Sequence, residues 1–440
     1  MSPRIANLVD RLQAVGEMVD EVLMSVVSAD PPDDALDPRA RTDDRLRELL
    51  VGFERVRNAA EAAQAEVMNA MADEARELDA ADFSATGQPS RSHAEFLPDE
   101  LGVLLASTKV AAGRRFALAG RAERFPALMA TWRSGAVDSQ KVRVITDEVV
   151  ALSDAEVMGE LDELEVRQLT EALVVAGVTY AQTHTWSETR AWLRRRVIKL
   201  APEVAELRRG RAEHDRRVEI AVGDDGMSEL WAFLPSVDAR AIQQALTSAA
   251  HEMGAADTRT MDQRRADLLV AWLLGPDHAP TVHLHLVSEA SSASGADLDT
   301  ASWLPGVGPL TELQTSDLLL SAGTVVTVAS GPVEAEQGYR PSAALERAVR
   351  TRDVVCRFPG CRRAGLGVST GTDLDHTVPW PSGRTESSNL EVLCRHHHRL
   401  KHSPGWQVAL HADGSMTWWT PSGRTFSSEP WLDLVQDRPP

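Results

Sequence analysis

The segment Asn389-Leu390-Glu391-Val392-Leu393-Cys394-Arg395-His396-His397-His398-Arg399-Leu400-Lys401 sets a cysteine just ahead of a run of three histidines, in what the pattern predicts to be a helix. At helical spacing Cys394 and His397, three apart, share one face. His398 is turned by about 100° from His397 and can face a different pocket. Two short elements upstream belong with this segment. Cys356-Arg357-Phe358-Pro359-Gly360-Cys361 is a pair of thiols across a tight turn, and Asp373-Leu374-Asp375-His376 closes a strand-like run. These elements hold all three cysteines of the 440-residue chain, and six of its 13 histidines lie between His376 and His411. An odd, clustered set of cysteines is a poor disulfide framework and points to a metal.

Zinc takes four soft or borderline donors in a tetrahedron. The two-cysteine turn facing a helical cysteine and histidine supplies Cys356, Cys361, Cys394 and His397, with His396 and His402 competing for the imidazole place. A structural zinc contributes on the order of 10 kcal/mol to folding, which would hold together a small module with little core of its own. Three buried free thiols would not explain the clustering beside histidines.

The residues left over carry chemistry. Hydrolysis of a phosphodiester needs a deprotonated water and a sink for charge on the phosphorane and leaving oxygen. Asp375 and His398 suit a hard or intermediate divalent ion, and His376 is free to act as a general base, neutral at working pH. Adjacent strand residues point to opposite faces, so Asp375 and His376 serve one site only if the strand ends or bends there. Pro379 makes such an ending reasonable.

Asp375-His376, Asn389 and His398, framed by the Cys356–Cys361 pair and the Cys394–His397 pair, resemble the HNH endonucleases, also called His-Me finger or ββα-metal nucleases. The resemblance covers residues 340–402. It implies that His376 is the general base, that Asp375 and His398 hold a catalytic Mg²⁺ or Mn²⁺, and that Asn389 braces the loop and orients the base. Gly383 and Asn389-Leu390 fit the connection between strand and helix. His397 departs from the pattern, since many zinc-bearing members carry cysteine there. Arg395, Arg399 and Lys401 are candidate phosphate ligands, or plain surface charges.

The rest of the chain predicts an α+β protein with a mostly helical first half. An amphipathic helix fills 1–28, an acidic proline-interrupted linker 29–44, and a helical to α+β domain 45–335; the nuclease-like domain (340–402) and a β-hairpin with tail (403–440) follow. Helical patterns cover about 46–67, 98–120, 140–152, 155–177 and 187–200. From Arg217 the period shifts to a hairpin, and Thr260-Met261-Asp262-Gln263 reads as a capping box. Thr281–Leu286 and Thr324–Ala329 alternate as strands, and 288–320 reads as irregular loop. Asp257–Asp267 and the hairpin ending Leu234-Pro235 resemble the helical domain of unknown function that precedes HNH modules in mobile-repeat families. That adds architecture without chemistry.

Charge divides unevenly. Residues 340–401 carry 11 Arg/Lys against 6 Asp/Glu, a local +5 in a chain of formal charge −19, which leaves −24 on the remainder. Such a field disfavours loose sliding on nucleic acid and leaves binding to local contacts. Residues 190–217 hold 10 Arg/Lys and 4 Asp/Glu; a second nucleic-acid contact or a solvated face paired with the acidic body would each account for them. His283 and His285 share a strand side, and ordinary packing accounts for them. Trp406, Trp418 and Trp419 either stack on bases or cover the small metal module. Without a membrane-length apolar run or a signal peptide, the expected place is the cytoplasm. The expected activity is metal-dependent cleavage of nucleic acid, DNA first, by a protein that pairs as a homodimer if it cuts both strands. The alternative is a non-catalytic zinc-stapled DNA-binding module.

Overall fold

The structure, a computed structural model, describes residues 3–27, 38–87, 92–157, 159, 162–223, 227–254, 256–275, 302–304, 308–321, 335–366 and 371–430. The class is α+β, with helices throughout and small antiparallel sheets concentrated toward the carboxy terminus. The chain divides into two compact units, Met1–Gly210 and Arg211–Pro440. The division falls inside the stretch 45–335 that the sequence treats as one domain.

The first unit is built from α1 (Pro3–Val27), α2 (Pro38–Thr86), α3 (Ser92–Leu104), α4 (Lys109–Glu123), α5 (Pro126–Arg133), α6 (Ser139–Val157), α7 (Glu163–Ala181), α8 (Trp186–Leu200) and α9 (Pro202–His214), whose last turn passes the boundary. Small residues on α2 (Ala62, Ala65, Ala72) and α4 (Ala119, Ala122) allow close approach, and Leu128, Trp132, Ile145, Leu173 and Leu193 fill the core between the helices. Helix starts follow local chemistry: Thr108 and Asp162 accept from backbone N–H groups, and Thr185 with Glu188 forms a reciprocal capping box. The expected linker needs correcting, because α2 already begins at Pro38; proline tolerates a first helical turn, where its missing N–H is no loss. Residues 28–37 lie outside the described residues. The basic stretch 190–217 is largely spent on the chain itself. Arg208 pairs with the buried Glu148, Arg209 with Glu206 and Arg217 with Glu219, while Arg190 and Arg196 lie over Trp186 and Trp192.

The second unit opens with the expected hairpin, β1 (Arg217–Val222) paired with β2 (Ser228–Phe233), followed by α10 (Ser236–Glu252) and α11 (Met261–Leu274). The capping box forms as read: Gln263 N–H donates to Thr260 Oγ1 and the Gln263 side chain accepts from Thr260 N–H. The stretch 288–320 is not all irregular. β3 (Ser302–Leu304) pairs with β4 (Gly308–Leu310), and α12 (Glu312–Ser321) follows. The strands expected at 281–286 and 324–329, with His283 and His285, lie outside the described residues.

Next come α13 (Ala343–Asp353), β5 (Thr372–His376), a single 3₁₀ turn (Ser387–Asn389), β6 (Leu390–Cys394) and α14 (Arg395–Lys401). Residues 389–401 are therefore not one helix. Leu390–Cys394 pairs antiparallel with β5, Asp375 opposite Glu391 and His376 opposite Leu390, and the helix starts only at Arg395. The run Leu390-Glu391-Val392-Leu393 is buried on both faces, which blurs the strand period. Leu345 and Val349 of α13 pack on Leu390 and Val392. The tail is a three-stranded sheet, β7 (Gln407–Leu410), β8 (Met416–Trp419) and β9 (Thr425–Ser428).

A buried ionic hub ties these pieces together. Asp353 accepts from Arg352 and Arg357 at 2.7 Å each and from Val392 N–H at 2.8 Å, and Arg357 donates onward to the carbonyls of Gly414 and Ser428. Both partners of the Asp353–Arg357 pair are almost wholly out of water. Removing one member of such a pair costs about 3–5 kcal/mol, because the other charge stays buried. Asp353→Ala should therefore lower the unfolding free energy of the second unit by about that amount, read by urea denaturation followed through tryptophan fluorescence.

Candidate functional site

Cys394 ends β6 and caps α14, which brings the first turn of the helix over the Cys356–Cys361 turn. One donor atom from each of Cys356, Cys361, Cys394 and His397 falls within 4.8 Å of the others. His397 Nδ1 is 3.3 Å from both Cys356 Sγ and Cys394 Sγ. Donors around a tetrahedral zinc with bonds of about 2.0–2.3 Å stand about 3.3–3.8 Å apart, so these nitrogen–sulfur pairs are at ligand spacing. The three thiols are free of disulfides. Phe358, between the cysteines, stacks on the His397 ring with centroids 4.0 Å apart, and the buried Trp406 and Trp418 pack on Phe358. Those two tryptophans cover the module and are not offered to bases.

The buried thiols perturb one another. Hydrogen bonds from Cys356 and Cys361, then His397, hold the Cys394 thiol below its ordinary value, while burial and the neighbouring Cys361 and Cys394 push Cys356 up. His397 takes the imidazole place, since His402 turns its Nε2 to Asp375 Oδ2, 3.3 Å away.

A second cluster forms on the other side of α14. Asp375, His398 and His402 offer three donor atoms within 4.8 Å of one another. His398 Nε2 is 3.4 Å from Asp375 Oδ2, and its Nδ1 is 3.1 Å from Asp373 Oδ2. A carboxylate on the far nitrogen fixes the ring and leaves Nε2 for an ion. Asp375 is pushed up by burial, but hydrogen bonds from His398 and Lys401 and the Lys401 charge outweigh this and keep it well below the usual carboxylate range. The hydrogen bond with Asp375 raises His398.

Lys401 is not a phosphate ligand. Its ammonium is buried and donates to Asp375 Oδ2 at 2.6 Å, Glu391 Oε1 at 2.7 Å and the His376 carbonyl at 2.6 Å. Glu391 is fully enclosed, and burial pushes it up to about 7 against the pull of Lys401. Arg395 is exposed and leans on Asp373.

His376 lies where β5 ends, its side chain turned to the loop 377–388 while Asp375 turns to α14. β5 ends at His376, and Asp375 Oδ1 accepts from the His376 N–H at 2.9 Å. His376 Nε2 is 2.9 Å from Thr385 Oγ1, and Thr385 gives its only hydroxyl hydrogen to the Gly338 carbonyl at 2.6 Å. Thr385 can then only accept, so Nε2 carries the proton and Nδ1 keeps the lone pair. Burial lowers His376 and the Lys401 charge adds to this, while Asp375 opposes them; the net shift is downward and the ring is neutral near pH 7. Asn389 pins the loop at both ends: Oδ1 accepts from Val378 N–H, and Nδ2 donates to the carbonyls of Val378 and Arg384.

Thr385, Glu391, Asp373 and His402 escaped the sequence reading as members of this site, and Lys401 was read there in another role. For His402 a signal was present, because His398 and His402 are four apart and share a helical face. Thr385 had none, since its role depends on the path of a loop.

The two-cluster strand–strand–helix unit lies in a chain whose larger part is recognisable. The chain belongs to the family described as "Domain of unknown function (DUF222)", whose model matches residues 50–353. It is 29% identical over 353 residues to uncharacterized protein Rv3776 of Mycobacterium tuberculosis, covering 70% of this chain and 65% of that relative. It is 32% identical over 285 residues to uncharacterized protein Rv2100 of the same organism, covering 51% of each. The chain therefore spans about two thirds and one half of the lengths of these relatives. No solved structure matches. Among the described residues no helix is long and apolar enough to cross a membrane.

Gly383 offers a direct test of the loop. A Cβ there would run into the Val378 carbonyl and the Asn389 amide, the atoms that close the brace. Gly383→Ala should cost about 1–3 kcal/mol through overpacking, measured as a shift in the denaturant midpoint against the wild-type chain.

Proposed function

We propose that residues 340–402 are an HNH-type, metal-dependent nuclease module that hydrolyses phosphodiester bonds of nucleic acid, with DNA the first substrate to test. The observation that carries this reading is the convergence of Asp375, His398 and His402 on one point beside a β5 that ends in the buried, oriented His376. A purely zinc-stapled binding module would have no use for the Asp373–His398 contact or for the Thr385 clamp on His376.

A divalent ion held by Asp375, His398 and His402 would stabilise charge on the phosphorane and on the leaving oxygen. One carboxylate with two imidazoles is softer than an all-oxygen shell, which favours Mn²⁺ over Mg²⁺. His376 accepts the proton of the attacking water at Nδ1. The Nε2–H bond to Thr385 keeps the ring from rotating as its charge appears. Asn389 holds the loop that carries Thr385. Lys401 keeps Asp375 ionised and aimed at α14. The closed set Cys356, Cys361, Cys394 and His397 suits a structural zinc, with no position left open for water.

Incubating the full chain with supercoiled plasmid and Mn²⁺, Mg²⁺ or a chelator tests the activity. Cleavage is expected with Mn²⁺ at least as fast as with Mg²⁺, and His376→Ala should lower the rate by about 10²–10⁴-fold. Undiminished cutting by His376→Ala would remove the proposed base, and no cutting with either ion would leave the non-catalytic zinc module as the better reading. Metal analysis separates the two clusters. The purified chain should carry one zinc, which Cys394→Ser loses along with cooperative unfolding of the second unit and Asp375→Ala retains.

A further inference from the structure

Beyond the two clusters, the exposed rings Tyr339 and Trp380 beside His376 form a surface that the proposed hydrolysis does not use. Tyr339 stacks on His376 with ring centroids 5.4 Å apart and an interplanar angle of 18°. Trp380 meets Tyr339 edge-on at 6.0 Å. Both are exposed, Tyr339 at 61% and Trp380 at 45%, although every other aromatic contact in this module belongs to buried or metal-side rings. Two backbone features fix the pair. Glu336 N–H donates to the Thr385 carbonyl, which lays the strand-like segment before Tyr339 along the loop, and the Asn389 brace holds Val378 and Arg384 on either side of Trp380. Arg340 follows Tyr339 directly and Arg384 lies four residues after Trp380 on the same loop; both are exposed and make no ion pair among the described residues.

Exposed rings with exposed, uncommitted arginines on the same two segments have the composition of a single-strand nucleic-acid surface, in which bases stack on aromatics while cations follow the phosphates. Resting on the nuclease reading above, we infer that Tyr339 and Trp380 form a subsite that stacks an unpaired nucleobase next to His376, with Arg340 and Arg384 on the adjoining phosphates. The substrate is then a single strand or a locally opened duplex. In an intact duplex both faces of every base are already covered, and an exposed indole has nothing to stack on until a base is turned out, at a cost of a few kcal/mol. The local charge agrees with this: a cationic edge against a strongly acidic chain attracts a backbone only at short range.

The test is equilibrium binding by fluorescence anisotropy, using the full chain without added divalent ion. The probes are short labelled single-stranded DNA, single-stranded RNA of the same sequence, and the blunt DNA duplex. Single strands should bind more tightly than the duplex, and the stronger of the two single-strand arms names the sugar. Trp380→Ala should weaken single-strand binding by about tenfold or more and leave duplex binding nearly unchanged, while Trp380→Phe retains most of the affinity. Arg340→Ala and Arg384→Ala should each flatten the dependence of binding on salt. Wild-type affinity of Trp380→Ala for single strands, or an equal loss on single strand and duplex, would overturn the subsite, provided the melting temperature matches wild type. A Trp380→Ala effect in a chain that cuts nothing would uphold the subsite and remove the nuclease. Cutting with no Trp380→Ala effect on binding would do the reverse.

Discussion

Cys394 holds three positions at once: the last rung of the β5–β6 ladder opposite Thr372, the cap residue of α14, and one of four donors facing a common point. Because the ladder fixes where the helix begins and the thiol fixes how it is rotated, every later side chain on α14 inherits its direction. His397 turns toward the thiols, His398 and His402 toward Asp375, and Lys401 down to Glu391. A slip of one residue would move each by about 100° and scatter both clusters. A metal at the thiols, as proposed, would act on the second site without touching it, by holding the helix that carries two of its three donors.

The second cluster works through balanced burial. Asp375, Glu391 and Lys401 are all withdrawn from water, and the ammonium bonds both carboxylates and the His376 carbonyl together. A lone buried carboxylate would take up a proton. Here His398 and then Lys401 keep Asp375 ionised, while the more enclosed Glu391 is pushed up to about 7. The same lysine charge helps to keep His376 neutral.

Much of this could be read from the sequence because it depends on spacing alone. The thiol pair, the Cys394–His397 step, the Asp375-His376 dipeptide and the Thr260–Gln263 cap each involve neighbours whose geometry is nearly independent of the rest of the fold. Misreadings came where tertiary contacts decide. Leu390–Leu393 is apolar on both faces, so no period distinguishes strand from helix, and Lys401 resembles a surface charge until the fold encloses it. Thr385 and Tyr339 reach His376 only because the loop and the segment after Glu336 are pinned together, which no local pattern foretells.

The family match stops at residue 353, at the end of α13. That residue is Asp353, whose carboxylate receives Arg357 from the cysteine turn and the N–H of Val392 from β6. The same helix packs Leu345 and Val349 on the strand that leads to Cys394. The last helix of the family region is therefore part of the core of the unit that carries the Cys/His cluster, and its ionic anchor. A cut placed between the two at that residue would strip the module of its hydrophobic support and leave Arg357 buried without its partner. The nuclease-like unit is in this physical sense grown out of the family domain, and α13 has to be counted in both.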